Sequence, residues 1–387
     1  MSLGIYIQVP FCQTKCTYCN FHTGPAARGL YAPYARAVER EIWQRATASR
    51  DAAAEGSPCL APVDTIYVGG GTPSLLDPAD LASILATVRD CFAFADGEVT
   101  LEADPETITS EKAAAWRAAG INRISLGAQS FHDKELIAAG RMHRRQDIFR
   151  AVQLLRAAGF ANISLDLIAG LPHQTDASWN ESLAELLGVR SEHISIYLLE
   201  VDEGSRLGKE ALAGGSRYGA SAIPDDDAMA SFYELACEEL AAAGYEHYEI
   251  SNWALPGFRS RHNLKYWRRE PYLGFGAGAH SFDGRWRWAN AHDPAAYVAA
   301  IEQGQLPTEQ REEVTRAQAL EEEMFLGLRQ LEGIDFARIE REYEAAHLGA
   351  RIAELEAQGL VEREGTRVRL APTELTVSNE VFVGLLD

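Results

Sequence analysis

Between residues 5 and 199 the chain alternates short β-branched runs with amphipathic segments, and this alternation limits the fold more than any other feature. The runs are 5–9, 65–68, 99–102, 123–126, 163–167 and 194–198. Between them, apolar residues recur at helical spacing over 34–45, 81–92, 111–119 and 148–158. Two of these segments close on Ala-Ala-Gly, at Gly120 and Gly159, where glycine takes a left-handed C-cap without steric cost. Such repeats give parallel strands joined by right-handed crossovers. An open partial barrel of the triosephosphate isomerase kind and a doubly wound sheet both satisfy the pattern.

In either architecture ligands gather at the C-terminal ends of the strands, and the chemically distinctive residues fall there. After the first strand comes Pro-Phe-Cys-Gln-Thr-Lys-Cys-Thr-Tyr-Cys-Asn-Phe, with Cys12, Cys16 and Cys19 spaced Cys-x3-Cys-x2-Cys. The segment is too short to bury three cysteines as core. Thiolates hold iron–sulfur clusters, and three of them on a four-iron cubane leave one iron open to a small molecule. Zinc is the rival ligand, but its structural sites pair two cysteine knuckles, and the chain has no second pair. Gly69, Gly70, Gly71, Thr72 and Pro73 follow the second strand. Glycines there often only turn the chain, but beside an open iron they let backbone approach an α-amino-acid end. Glu102 ends the third strand, Gln129 follows the fourth and Asp166 lies on the fifth; the carboxylates can accept from hydroxyls or an ammonium. Arg141 opens a run with Arg144 and Arg145. It reads equally as a bidentate carboxylate holder and as a solvated charge.

Of the 387 residues 47% are hydrophobic, enough for a sizeable core, and the net charge is −20. That balance argues against general affinity for nucleic-acid phosphates or anionic membranes. The start lacks the look of a signal peptide, and no apolar run approaches a membrane span. Six cysteines, three of them clustered, are no disulfide framework, and a reducing cytoplasm fits. Cys59, Cys91 and Cys237 are isolated, the last two on helix-like segments where packing suits them. Residues 202–224 read as a Gly/Ser/Ala-rich loop, 226–243 as a helix, and the end as helix (350–361) plus hairpin (362–370). That ending has the look of a winged helix, and the acidic chain makes packing its better role than DNA binding.

The cysteine segment, with Gly-Gly-Gly-Thr-Pro after the next strand, resembles the radical S-adenosylmethionine superfamily. Segments 6–12, 125–131 and 166–172 are similar to oxygen-independent coproporphyrinogen III oxidase and its relatives, and the likeness covers nearly the whole chain. The resemblance implies an α/β fold. A partial (β/α)6 triosephosphate-isomerase-like barrel spans 1–224, a family-specific extension 225–305, and a mostly helical, winged-helix-like domain 306–387. It implies a [4Fe-4S] cluster on Cys12, Cys16 and Cys19. It implies that Tyr6, Tyr18, Gly70, Gly71, Thr72, Glu102, Gln129, Arg141 and Asp166 match positions at the cluster or S-adenosylmethionine. In active members an electron from the reduced cluster cleaves the sulfonium.

Two departures point within the family. Phe21 stands where the oxidase has a fourth cysteine, and eleven residues precede Cys12 where the oxidase carries a longer extension. Both resemble a heme chaperone subgroup, as does His262-Asn263-Leu264-Lys265-Tyr266-Trp267, which fits its His-Asn-x-x-Tyr-Trp motif. The expectation is a protein that binds heme and passes it to acceptor hemoproteins, with His262 in contact with heme as a candidate iron ligand. Tyr266 and Trp267 would stack on the porphyrin, the glycines of 274–278 would admit a flat ligand, and His280 and His247 are the next ligand candidates. Decarboxylation of coproporphyrinogen III is the alternative function, and a plain electron carrier a remote third. No nucleic acid and no integral membrane segment are expected, and a homodimer stays open.

Overall fold

The computed structural model describes residues 2–52 and 61–386; Cys59 lies outside them. Six parallel strands form the core: β1 (Leu3–Val9), β2 (Val63–Gly70), β3 (Phe94–Ala103), β4 (Arg123–Gln129), β5 (Ile163–Ala169) and β6 (His193–Leu198). They lie side by side in chain order. A doubly wound sheet reverses its order at a switch point; this one does not, so the array is an incomplete barrel.

Further strands extend the sheet at both edges. β7 (Glu246–Glu249) and β8 (Asn252–Ala254) follow β6 in space, in the order β6-β8-β7, and β9 (Tyr272–Phe275) pairs parallel with β1. β10 (His280–Phe282), β11 (Trp286–Asn290) and β12 (Thr308–Glu313) continue antiparallel beyond β9.

Alternation along the strands decides which face is the site. Ile5, Ile7, Val9, Ile66, Val68, Leu101, Ile124, Leu126, Leu165 and Ile194 are buried and join the helices, including Val38 and Ile42 of α1 (Tyr31–Ala52), in one apolar cluster. Each such side chain contributes about 1.5–3 kcal/mol. The intervening positions, Tyr67, Glu102, Ser125, Asp166 and Ser195 among them, are polar and line the lumen. An apolar coat around a polar lumen gives a stable barrel that keeps its interior for a ligand.

Three segments differ from the sequence reading. The stretch read as a loop holds a helix at Arg206–Leu212 and a 3-10 segment at Arg217–Ala222. Its helix is capped by the Ser205 hydroxyl, a local signal that the Gly/Ser composition hid. Residues 308–313 pair with β11, so the C-terminal unit starts at helix Arg316–Arg329 rather than at 306. That unit carries the expected hairpin, Val361–Glu364 with Arg367–Leu370, joined by Ile334–Asp335 into a three-stranded sheet. Glu322 seats it on the barrel through Arg269 (2.8 Å) and Arg287 (2.6 Å).

Third, the His-Asn-x-x-Tyr-Trp motif forms a short helix, α2 (Arg261–Trp267), packed under the starts of β1, β2 and β3. The Glu98 carboxylate accepts from the backbone N–H groups of Arg261 (3.1 Å) and His262 (3.0 Å), an acidic cap on a helix N-terminus. The motif is the floor of the barrel.

Candidate functional site

A cavity of about 520 Å³ opens at the C-terminal ends of the core strands and is lined by Cys12, Cys16, Cys19, Tyr18, Gly70, Gly71, Thr72, Glu102, Gln129, Arg141 and Asp166. Eleven of the thirteen sequence-derived candidates thus meet in one place; Tyr6 and His262 are the two that do not line it.

The cysteine loop is tied down on both sides. Thr17 N–H donates to the Ala139 carbonyl (3.0 Å), and Leu207 N–H donates to the Thr17 carbonyl (2.7 Å). The Arg206 guanidinium donates to the Lys15 carbonyl. The helix missed from sequence therefore clamps the loop. Among the described residues the thiols are not gathered about one point that would hold a single metal ion; a cubane takes each thiolate at a separate iron. Burial pushes the Cys12 thiol up to about 11, with Cys16 and Cys19 adding to the effect, so the thiolate form needs a cation beside it.

The glycine turn is cradled against this loop. Gly71 N–H donates to Val9 O (2.8 Å) and Thr72 N–H to Phe11 O (2.7 Å). A Cβ on Gly71 would lie 2.6 Å from the Phe11 carbonyl oxygen and 2.9 Å from Cys12 Sγ. Gly70 has φ +120°, a conformation that suits glycine alone. Gly71→Ala is therefore expected to displace Cys12 and cut iron per chain after reconstitution at least by half, whereas Gly24→Ala, with nothing near its Cβ, leaves it unchanged. Equal iron content in the two variants would contradict the cradle.

Glu102 sits at the centre of the lumen. Its carboxylate accepts from Tyr67 OH (2.8 Å) and Gly70 N–H (2.9 Å), and burial raises it to about 7. Tyr6 stands behind it: its hydroxyl donates to Gln8 (2.8 Å) and its ring stacks on Tyr67. Asp166 accepts from Ser125 (3.0 Å) and Ser164 (3.2 Å), and burial raises it too. Gln129 takes a left-handed φ of 65°, which turns the strand end at the mouth.

Arg141 is not a solvated charge. Its guanidinium ion-pairs Asp104 and donates to the Gly127 carbonyl (3.0 Å) and to Cys16 Sγ (3.3 Å). Asp104 also accepts from Thr72 Oγ1 (3.0 Å), so one carboxylate couples the glycine turn to the cysteine loop. Asp104 was not singled out from sequence, although an Asp-Pro pair just past a strand end is a signal for it. Arg123 was missed as well. It is 1% exposed, lines the lower lumen, and its Nε has no partner among the described residues.

His262 is placed against the expectation of a heme contact. It is 1% exposed. Its Nδ1 pairs with Thr65 Oγ1 and its Nε2 with Tyr266 OH, both at 2.9 Å. Burial pushes the imidazole down to about 3, so it is neutral and structural. Tyr266 is consumed in the same contacts. The glycine loop also has internal reasons: Cβ atoms at Gly274 and Gly276 would strike backbone oxygens at 2.1 and 2.5 Å. His247 is stacked on Trp253 at 4.1 Å and half-buried.

The buried carboxylates, the glycine cradle and the three thiols around one cavity fit a [4Fe-4S] cluster with an amino-acid cofactor on it. The chain matches the Radical SAM superfamily model over residues 6–186 and the HemN C-terminal domain model over 314–376. It is 34% identical over 386 residues to Heme chaperone HemW of Bacillus subtilis, covering 98% of each chain. It is 38% identical over 390 residues to Heme chaperone HemW of Mycobacterium tuberculosis, covering 99% of this chain and 94% of that one. Among solved structures, coproporphyrinogen III oxidase (HemN) of Escherichia coli superposes with a TM-score of 0.83 at 21% identity, covering 99% of this chain and 90% of that one, which shows a shared fold. Likeness at this identity over nearly all of both chains puts this one in the HemW family of radical S-adenosylmethionine proteins.

Proposed function

We propose that this protein is a heme chaperone: it binds heme and hands it to acceptor hemoproteins, carrying a [4Fe-4S] cluster and S-adenosylmethionine of its own. The observation that carries this reading is the likeness, over nearly their whole length, to curated heme chaperones. Phe21 supports it. The ring is 68% exposed at the cavity mouth, and at that position the oxidase pattern has a cysteine. The cavity supports it too. A volume of about 520 Å³ is that of a small-molecule site, which suits a cofactor beside the cluster.

Cys12, Cys16 and Cys19 hold the cluster. Glu102 and Asp166 accept hydrogen bonds from the cofactor's polar groups, and Gly70 and Gly71 let its amino-acid end reach the open iron. The cluster and S-adenosylmethionine supply one-electron chemistry when bound. Three clustered cysteines that hold iron rather than pair as disulfides suit a reducing compartment, the cytoplasm. No helix among the described residues is long and apolar enough to cross a membrane.

The Glu102 assignment has a pH signature. A carboxyl raised from 4.5 to about 7 holds its proton more tightly folded than unfolded. The cofactor-free protein therefore loses stability as pH rises across that window, on the order of 3 kcal/mol, and S-adenosylmethionine affinity falls as pH drops below about 7. Glu102→Gln flattens both profiles in denaturant titrations and calorimetry; unchanged profiles would sink the assignment.

The function itself is tested by loading the reconstituted protein with hemin and adding an apo-hemoprotein. The Soret band is expected to move to the acceptor at a rate set by chaperone concentration. Failure to bind hemin, or transfer no faster than from free hemin, would end the reading.

A further inference from the structure

With His262 closed off, the heme iron needs another ligand, and the histidines can be sorted by access. His143, His193 and His262 are enclosed and His247 is half-buried, and each has at least one ring nitrogen hydrogen-bonded to a neighbouring group. Two others meet beside the cysteine loop. His22 lies three residues after Cys19 and is exposed; His292 follows β11 and is half-buried. Their rings stand 4.4 Å apart, tilted by 39°. No hydrogen bond engages either ring among the described residues, and Nδ1 of His292 is buried without a partner, facing Gly278. His280, at the start of β10, is close by and exposed; desolvation and then His292 hold its imidazole below the usual range.

We propose that His22 is the axial ligand of the bound heme iron and that His292 is its positioning residue. The proposal rests on the heme reading above and deepens it. Imidazole suits iron, and a ligating imidazole works best when a neighbour fixes its orientation. His22 is the exposed partner, and its ring carries nitrogens that nothing else uses. His292 packs close to Gly278, where an added Cβ would come 3.0 Å from Nδ1, and it presents its ring to that of His22. The adjacent residue, Phe21, lines the cavity mouth, whereas His22 does not. Heme on His22 therefore lies on the flank of the cysteine loop, outside the barrel, and does not compete with S-adenosylmethionine.

Hemin titration of the full-length, cluster-loaded protein tests this. The wild type shows the Soret band of imidazole-ligated iron, with or without S-adenosylmethionine. His22→Ala weakens binding roughly tenfold or more and moves the Soret band, with cluster iron unchanged, and added imidazole restores the band. His292→Ala keeps the ligand but alters the low-spin spectroscopic signature, which a merely structural residue would not move. If wild type and His22→Ala bind hemin alike, with the same band, the ligand assignment is overturned while the chaperone reading stands. If the wild type binds no hemin, both fall.

Discussion

Replacing Cys12, Cys16 and Cys19 together by alanine yields a folded protein with background iron and no broad visible cluster absorbance. The loss is complete if, as proposed, these thiols are the whole protein contribution to the cluster: no other cysteine among the described residues lines the cavity. The fold survives because the thiols are only part-buried and the apolar coat of β1–β6 does not include them. Single substitutions are nearly as severe. A cluster already one protein ligand short, with its remaining irons held by two thiolates, is exposed at a second corner. Cys16→Ala has an added cost, since Arg141 loses one acceptor while keeping Asp104. Iron and sulfide per chain, with far-UV circular dichroism as the fold control, read the result. Full cluster content in the triple variant would overturn the cofactor assignment.

His262→Ala is expected to act on stability and not on heme. The side chain is enclosed, bonds Thr65 and Tyr266, and lies 5.2 Å from the Tyr67 ring. Truncation leaves a cavity and two buried hydroxyls each short of a partner, a cost of about 3 kcal/mol. The denaturation midpoint falls, and because Tyr67 carries Glu102, S-adenosylmethionine binding weakens with it. The hemin spectrum of the protein that remains folded is unchanged. A lost heme band at an unchanged denaturation midpoint would restore His262 as the ligand.

The contrast between these two motifs shows what the sequence could carry. The six strands were legible because β-branched runs alternate with helical spacing, and strand-end residues converge in any parallel array; their order was not, since a doubly wound sheet fits the same alternation, and only the family resemblance pointed to the barrel. Cysteine, glycine and carboxylate positions followed from that rule. What was not legible depends on contacts far apart in the chain. His262 looks like a ligand in its aromatic motif, yet Glu98, 164 positions earlier, caps its helix and seals it under the barrel. Arg141 looks like one of three surface arginines, yet Asp104 and Cys16 enclose it. Arg123 was hidden for the opposite reason: it sits in an ordinary strand context. The period-two alternation of β4, with Arg123, Ser125 and Gly127 on one face and Ile124 and Leu126 on the other, was the available signal for the lumen. The boundary at 306 failed because β12 is polar and mostly exposed, with none of the apolar pattern that marks a strand.

The fold is shared with an oxidase, so the separation of heme handling from porphyrinogen decarboxylation carries the whole functional claim. The direct measurement is an anaerobic incubation of the cluster-reconstituted, reduced protein with S-adenosylmethionine and coproporphyrinogen III, following protoporphyrinogen IX and methionine. The account predicts no porphyrinogen product above the rate of the triple cysteine variant, from a preparation that binds hemin and transfers it. Multiple turnovers to protoporphyrinogen IX, with methionine released in step, would contradict it.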